Sequence, residues 1–188
     1  DKVALRKVSL HDEIVKGNAT AALIDFGHVV SVAIVIRSAL FWVATEGWHG
    51  IPIVIAAFAI GSIAMLLISQ YRVQLFKRTN RSGDCLQQAV IDGNLAVGIR
   101  YAGFLVGSAL ALTAASGIAP YAADNIVASL GYWALSAAVS LVAFILLHLV
   151  TIKIILSGCD ISDEVNRQKN VGVAAISAAI SFAIGSTM

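Results

Sequence analysis

Charge is scarce in this sequence. Asp, Glu, Lys and Arg make up 13% of its 188 residues, about half the share a water-soluble domain uses to keep its surface wet. With 59% of residues hydrophobic, the shortage excludes a free globule and makes lipid the expected solvent. Cysteine is nearly absent too. Cys85 and Cys159 stand apart in polar segments with no metal-ligand spacing and no redox motif; both fall on the side expected below to be cytoplasmic, so reduced thiols are expected. Missing as well are a Gly-rich phosphate loop, a His-Glu-x-x-His pair and a Ser-His-Asp constellation. The polar loops are too short for an extramembrane catalytic domain. An enzyme is therefore not expected, nor a cofactor or a metal site. No secretory signal pattern opens the chain at Asp1.

Long apolar runs are what is there. Residues 19–44, 51–75, 95–118, 126–156 and 171–187 each approach or exceed the ~20 residues that cross a hydrocarbon core as a helix. The last is the shortest, at the lower limit for a span. The runs are continuous rather than alternating, which favours helices over barrel strands. The expected fold is all-α, a polytopic transmembrane bundle of five spans.

Basic residues set the orientation. Lys2, Arg6, Lys7 and Lys16 precede the first span; Arg72, Lys77, Arg78 and Arg81 lie between the second and third; Lys153, Arg167 and Lys169 lie around the last connection. The turns at 46–50 and 120–125 hold no Lys or Arg. Positive charge thus places the amino terminus and loops 77–93 and 157–169 in the cytoplasm, and the carboxyl terminus outside. Trp42, Trp48, Tyr121, Tyr132 and Trp133 gather at the opposite ends, as an outer aromatic belt would. The basic residues flank spans and suit anionic headgroups, so the bilayer is the expected partner and nucleic acid is not.

The chain also repeats. Asn18, Asn94 and Asn170 recur at a constant period of 76, and small residues follow them in register: Ala22, Gly98 and Ala174, then Gly27, Gly103 and Ala179. The unit reads as a polar linker, a helix opening at Asn, a short outer turn and a long returning helix. Two crossings per unit make the repeats parallel. The divisions are 1–76, 77–156 and a partial third copy at 157–188. Subtracting the period from the span at 51–75 predicts a further helix upstream of Asp1. Asn at a helix start is a favoured N-cap, so capping is the first expectation for all three asparagines. Gly103, Gly107, Ala111 and Ala115, and likewise Ala175, Ala179 and Ala183, form small-residue stripes that let helix backbones approach.

The run Glu13-Ile14-Val15-Lys16-Gly17-Asn18-Ala19-Thr20-Ala21-Ala22, with Gly27 beyond it, resembles the domain-of-unknown-function 350 family of YjfL-like bacterial inner-membrane proteins. The pattern recurs at Asp92-Gly93-Asn94 with Gly103, and in weaker form at Lys169-Asn170. The resemblance implies a bacterial inner-membrane location and tandem two-helix units, with no established reaction. It also implies an association with membrane-stress or ion-channel genes.

Ionisable residues inside spans are the natural functional candidates, because each costs about 2.5–3.5 kcal/mol on insertion scales. The first span carries Asp25, His28 and Arg37, the third Arg100 and the fourth His148. Asp25 and His28 share a helix face. Arg37 lies ~18 Å beyond Asp25 and is expected to snorkel outward or meet another helix. Arg100 lies at a depth similar to Asp25, so an Asp25–Arg100 bridge is the preferred pairing. His148 is expected at the interface. Two functions fit. The first is a structural or interaction subunit of a membrane assembly (stress-related by the resemblance), docking other subunits or itself through small-residue faces. The alternative is an ion or proton channel or transporter that uses the polar residues of the first span.

Overall fold

In a computed structural model of the chain, which describes residues 9–79 and 85–188, every regular element is helical. Asp1, Lys2, Arg6, Lys7 and Arg81 lie outside the described residues. In chain order the α-helices are α1 (Leu10–Val15), α2 (Ala19–Trp42), α3 (Ile51–Thr79), α4 (Leu86–Ile91), α5 (Leu95–Ile118), α6 (Ile126–Ile155), α7 (Ile161–Asn166) and α8 (Val171–Thr187). Among the described residues α2, α3, α5 and α6 are long and apolar enough to cross a membrane. The 17 residues of α8 reach about 26 Å at about 1.5 Å per residue, just under a ~30 Å hydrocarbon core.

Two features depart from the sequence expectations. The polar linkers each contain a one-and-a-half-turn helix, α1, α4 and α7. Six residues are too few to show a periodicity, and these helices are held by burial of Leu10, Leu86, Val90 and Val165 rather than by propensity. Ser9 and Asp160 cap α1 and α7 from their side chains. In addition, α3 runs on past residue 75 to Thr79, ending in Lys77 and Arg78, where cations suit the carbonyl end of a helix. That extension draws Arg72 two turns inside the helix.

The centre of the bundle is α5. Its span is 67% buried, against 33% for α2, 22% for α3 and 28% for α6. It packs along its length between α2 and α8, while α3 and α6 form a second layer against it. The outer faces of α3 and α6 expose Ile55, Ile63, Leu67, Leu135, Val139 and Leu146. For a bundle in lipid this is the surface the tails wet.

Glycine makes the close approach possible. A Cβ on Gly27 would lie 2.8 Å from the Ala102 Cα, and one on Gly103 would lie 2.6 Å from the Ala178 Cα. Gly107 faces the Ser181 backbone of α8, and Gly185 of α8 faces the Gly107 backbone, so an added Cβ at either would overlap main-chain atoms. The α2–α5 contact at Gly27 and Ala102 therefore recurs, one period on, as the α5–α8 contact at Gly103 and Ala178. Helix bounds follow the same shift: α1 and α4 correspond residue for residue, as do α2 and α5.

At the far end the aromatic residues divide. Trp48 and Tyr132 are exposed, but Trp42 and Trp133 are buried, at 7% and 0% exposure. Trp42 Nε1 donates to the Ala119 carbonyl at 2.6 Å and Trp133 Nε1 to Ser116 Oγ at 3.1 Å. Tyr121 meets Trp42 edge-on. The expected belt is thus partly an internal plug, because a helix end offers both apolar volume for an indole ring and a free acceptor for its N–H.

Candidate functional site

The three asparagines sit at one end of the bundle. Each caps its helix: Asn18 Oδ1 accepts from Thr20 and Ala21, Asn94 from Val97, and Asn170 from Val173. A left-handed residue precedes each one, Gly17 at φ 84, Gly93 at φ 65 and Lys169 at φ 55. Glycine adopts that conformation without strain, and lysine fills the third position at some cost. The amide donors add what capping alone does not require. Asn18 Nδ2 donates to the Val90 carbonyl at 2.7 Å; Asn94 Nδ2 donates to the Val165 and Asn166 carbonyls, both at 3.1 Å. Each of these two side chains thus ties its own helix to the linker helix of the next unit. Asn170 turns its amide to Glu164 Oε2 in its own linker. Glu13, bonded by Lys16 and Asn18, has its carboxyl held below the ordinary carboxylate range by those two partners.

The ionisable residues inside the spans are arranged otherwise than depth alone implies. Asp25 and Arg100 form no ion pair; the carboxylate is half-exposed on α2 and the guanidinium turns toward α3 and α7. Among the described residues the ion pairs are Lys16–Glu13 and Arg167–Asp163, both in linkers. The residue that faces α2 is instead Tyr101, whose ring lies 5.9 Å from that of His28. Its hydroxyl shares a 2.6 Å hydrogen bond with Ser69 of α3. Arg37 is exposed and stacks over Phe41 at 5.2 Å, one turn nearer the far surface. His148 is enclosed by the bundle rather than open at its surface: it is 3% exposed. Ser181 Oγ donates to the Ser177 carbonyl at 3.0 Å and meets His148 Nδ1 at 3.2 Å.

These side chains belong to one polar cluster around the Asn-capped half of α5, fed by α2, α3, α5, α6 and α8. The Arg72 guanidinium lies over the Phe104 ring at 4.4 Å, and Phe104 in turn packs on Phe144 and His148. Arg72 and Arg100 line the same small cavity with Tyr101 and Asn166. The Nε atoms of both arginines and the Asn166 Oδ1 are buried without a hydrogen-bond partner. In the sequence Arg72 stands only as a charge flanking the second span. The apolar Val73, Leu75 and Phe76 beyond it are the available sign that the helix continues.

Of the small-residue positions, Gly27, Gly103 and Gly107 lie in helix contacts, while Ala179 is exposed on α8 together with Ala175 and Ala183. Next to α2 and α3 there is also a mostly apolar cleft of about 250 Å³, with His28, Ser31, Ser62 and Ser69 in its wall.

Fold and site together define a multi-pass α-helical membrane protein with a polar cluster at the Asn-capped end of its central helix. The model of the family described as Domain of Unknown Function (DUF350) matches residues 1–82 and 45–188. The chain belongs to that family, and the two overlapping matches are consistent with tandem copies of the domain. No curated protein and no solved structure matches it.

Proposed function

We propose that the chain is a non-enzymatic structural and interaction subunit of the bacterial inner membrane that associates laterally with a second copy of itself. One observation carries the reading. The contact between α2 and α5 recurs between α5 and α8, and the face of α8 that continues the series, Ala175, Ala179 and Ala183, is open. The complementary face on α5 is Gly98 and Ala102; one period earlier on α2 stand Ala22 and Phe26, both exposed. Joining α8 of one molecule to α2 of the next continues the existing interface as a head-to-tail contact. In lipid such contacts gain from close packing of small residues rather than from the hydrophobic effect. The basic residues of the linkers support a cytoplasmic Asn-capped end.

Single-molecule photobleaching in liposomes tests this at several protein-to-lipid ratios. Dimers and higher species are expected, with Ala179→Trp weakening association at least tenfold. A monomer at every ratio, or an Ala179→Trp protein that associates normally, removes the proposal. The transport alternative draws on the cleft beside α2 and α3. Its wall contains His28 and three serines but no Asp, Glu, Lys or Arg, so it offers an ion little compensation for lost water. The interaction reading stands first.

A further inference from the structure

We infer that Arg72 and Arg100, with Asn166, form a binding site for one phosphate group that carries or adjoins a hydroxyl, independent of lateral association. Arg72 of α3 and Arg100 of α5 line a common cavity. Arginine does not shed its charge on burial, and an ion taken out of water without a counter-charge costs several kcal/mol. Among the described residues no counter-charge lines this cavity. Arg72, Phe76, Leu86, Val97, Arg100, Tyr101, Val165 and Asn166 form the wall, with no carboxylate among them. The nearby acids of α7 are engaged elsewhere, Asp163 with Arg167 and Glu164 with Asn170.

Three unmet groups specify the occupant. The buried Nε–H groups of Arg72 and Arg100 need acceptors, and two adjacent cations favour an anionic one. A guanidinium fork matches the oxygens of a phosphate. Asn166 Oδ1 needs a donor: its Nδ2 is already given to Ser162 Oγ, whose own proton goes to the Thr79 carbonyl. The occupant must therefore present anionic oxygens to the arginines and an O–H to Asn166. Hydrogen phosphate does so, and so does a glycerol phosphodiester headgroup. The free space is about 20 Å³, about that of one water molecule, so only the leading oxygens of a phosphate enter it and the rest of the group stays at its open side. Depth agrees. Arg72 lies seven residues from the end of α3 and Arg100 five from the start of α5. That is about 10 Å and about 8 Å along the helices, near the boundary where headgroup gives way to hydrocarbon.

The test is thermal unfolding of the chain in a maltoside detergent, which has no phosphate, followed by the fluorescence of its tryptophans. Sodium phosphate, sodium sulfate and short-chain phosphatidylglycerol are titrated at matched ionic strength. Phosphate, phosphatidylglycerol or both should raise the unfolding temperature saturably, and sulfate, which has no proton to give Asn166 at neutral pH, should need at least tenfold more. Stabilisation by phosphatidylglycerol alone identifies a lipid headgroup, and stabilisation by phosphate alone a free anion. The effect should vanish in Arg72→Gln/Arg100→Gln. If that protein does not fold, Arg100→Lys, which keeps the charge but loses the fork, should weaken it about tenfold. No shift with either phosphate species, a sulfate response equal to theirs, or undiminished response in the variants overturns the inference; a cavity holding only water would give the first of these.

Discussion

Gly107→Val should unlock α8 from α5 and cost about 3 kcal/mol or more in stability. A Cβ at Gly107 falls on the Ser181 main chain, 2.7 Å from its carbonyl carbon, and Gly185 meets the Gly107 carbonyl from the other side. Backbone cannot rotate out of the way as a side chain can. The two helices must separate, and the whole α5–α8 interface loosens with them. Unfolding by SDS in mixed micelles gives the free-energy difference directly. The matched control is Gly131→Val on α6, where nothing lies within 4 Å of the added carbon; it should stay within about 0.5 kcal/mol of the parent. Equal effects at the two positions would mean that α5 and α8 do not touch as described.

Asn94→Asp should be more damaging than Asn94→Ala, which separates capping from stitching. Aspartate is as good an N-cap as asparagine, so a residue that only capped α5 would tolerate the change. Asn94, however, is 2% exposed and gives its amide to two carbonyls of α7. Aspartate would remove both donations and aim a buried carboxylate at the Val165 and Asn166 oxygens. The expected cost is about 3 kcal/mol or more, against about 2 kcal/mol for alanine, from the same micelle unfolding measurement. At Asn170, where the amide meets a side chain of its own linker, the alanine change should cost about 1 kcal/mol. A tolerated Asn94→Asp would reduce the asparagine to a cap.

The two predictions mark how far the residues speak for themselves. Spans, caps and the period of 76 follow from apolar run length, from Asn at each helix start, and from simple register. Depth along a helix is likewise readable, since each residue adds a fixed rise along the axis. Rotation about the axis is not. In lipid a helix is apolar all round, so no polar stripe announces which side faces a neighbour. That is why depth alone sets Arg100 opposite Asp25, when Tyr101 occupies that side and Arg100 turns toward Arg72. It is also why the burial of His148 cannot be read from its depth: it depends on Phe104, Phe144 and Ser181, which come from α5, α6 and α8. Trp42 and Trp133 show the same limit, since belt and plug demand the same residue at the same depth.

The small residues carry the opposite lesson. Gly27, Gly103 and Gly107 can be assigned to helix contact from spacing alone, because close approach has few chemical solutions. Their partners cannot. Ala102, Ala178 and Ser181 become visible only when α2, α5 and α8 are seen side by side, and the shift that relates the contacts is what directs attention to Ala179.

Parallel units that each cross the membrane twice are the core of the account, and the two native cysteines test them. Cys85 and Cys159 are both free and exposed, one in the linker that leads to α5 and one in the linker that leads to α8. In inside-out membrane vesicles a membrane-impermeant maleimide should label both, and in right-side-out spheroplasts neither. Trp48→Cys in a cysteine-free background should label the other way round. Labelling of Cys85 and Cys159 from opposite sides would contradict the account, because α5 and α6 would then not form a complete return crossing.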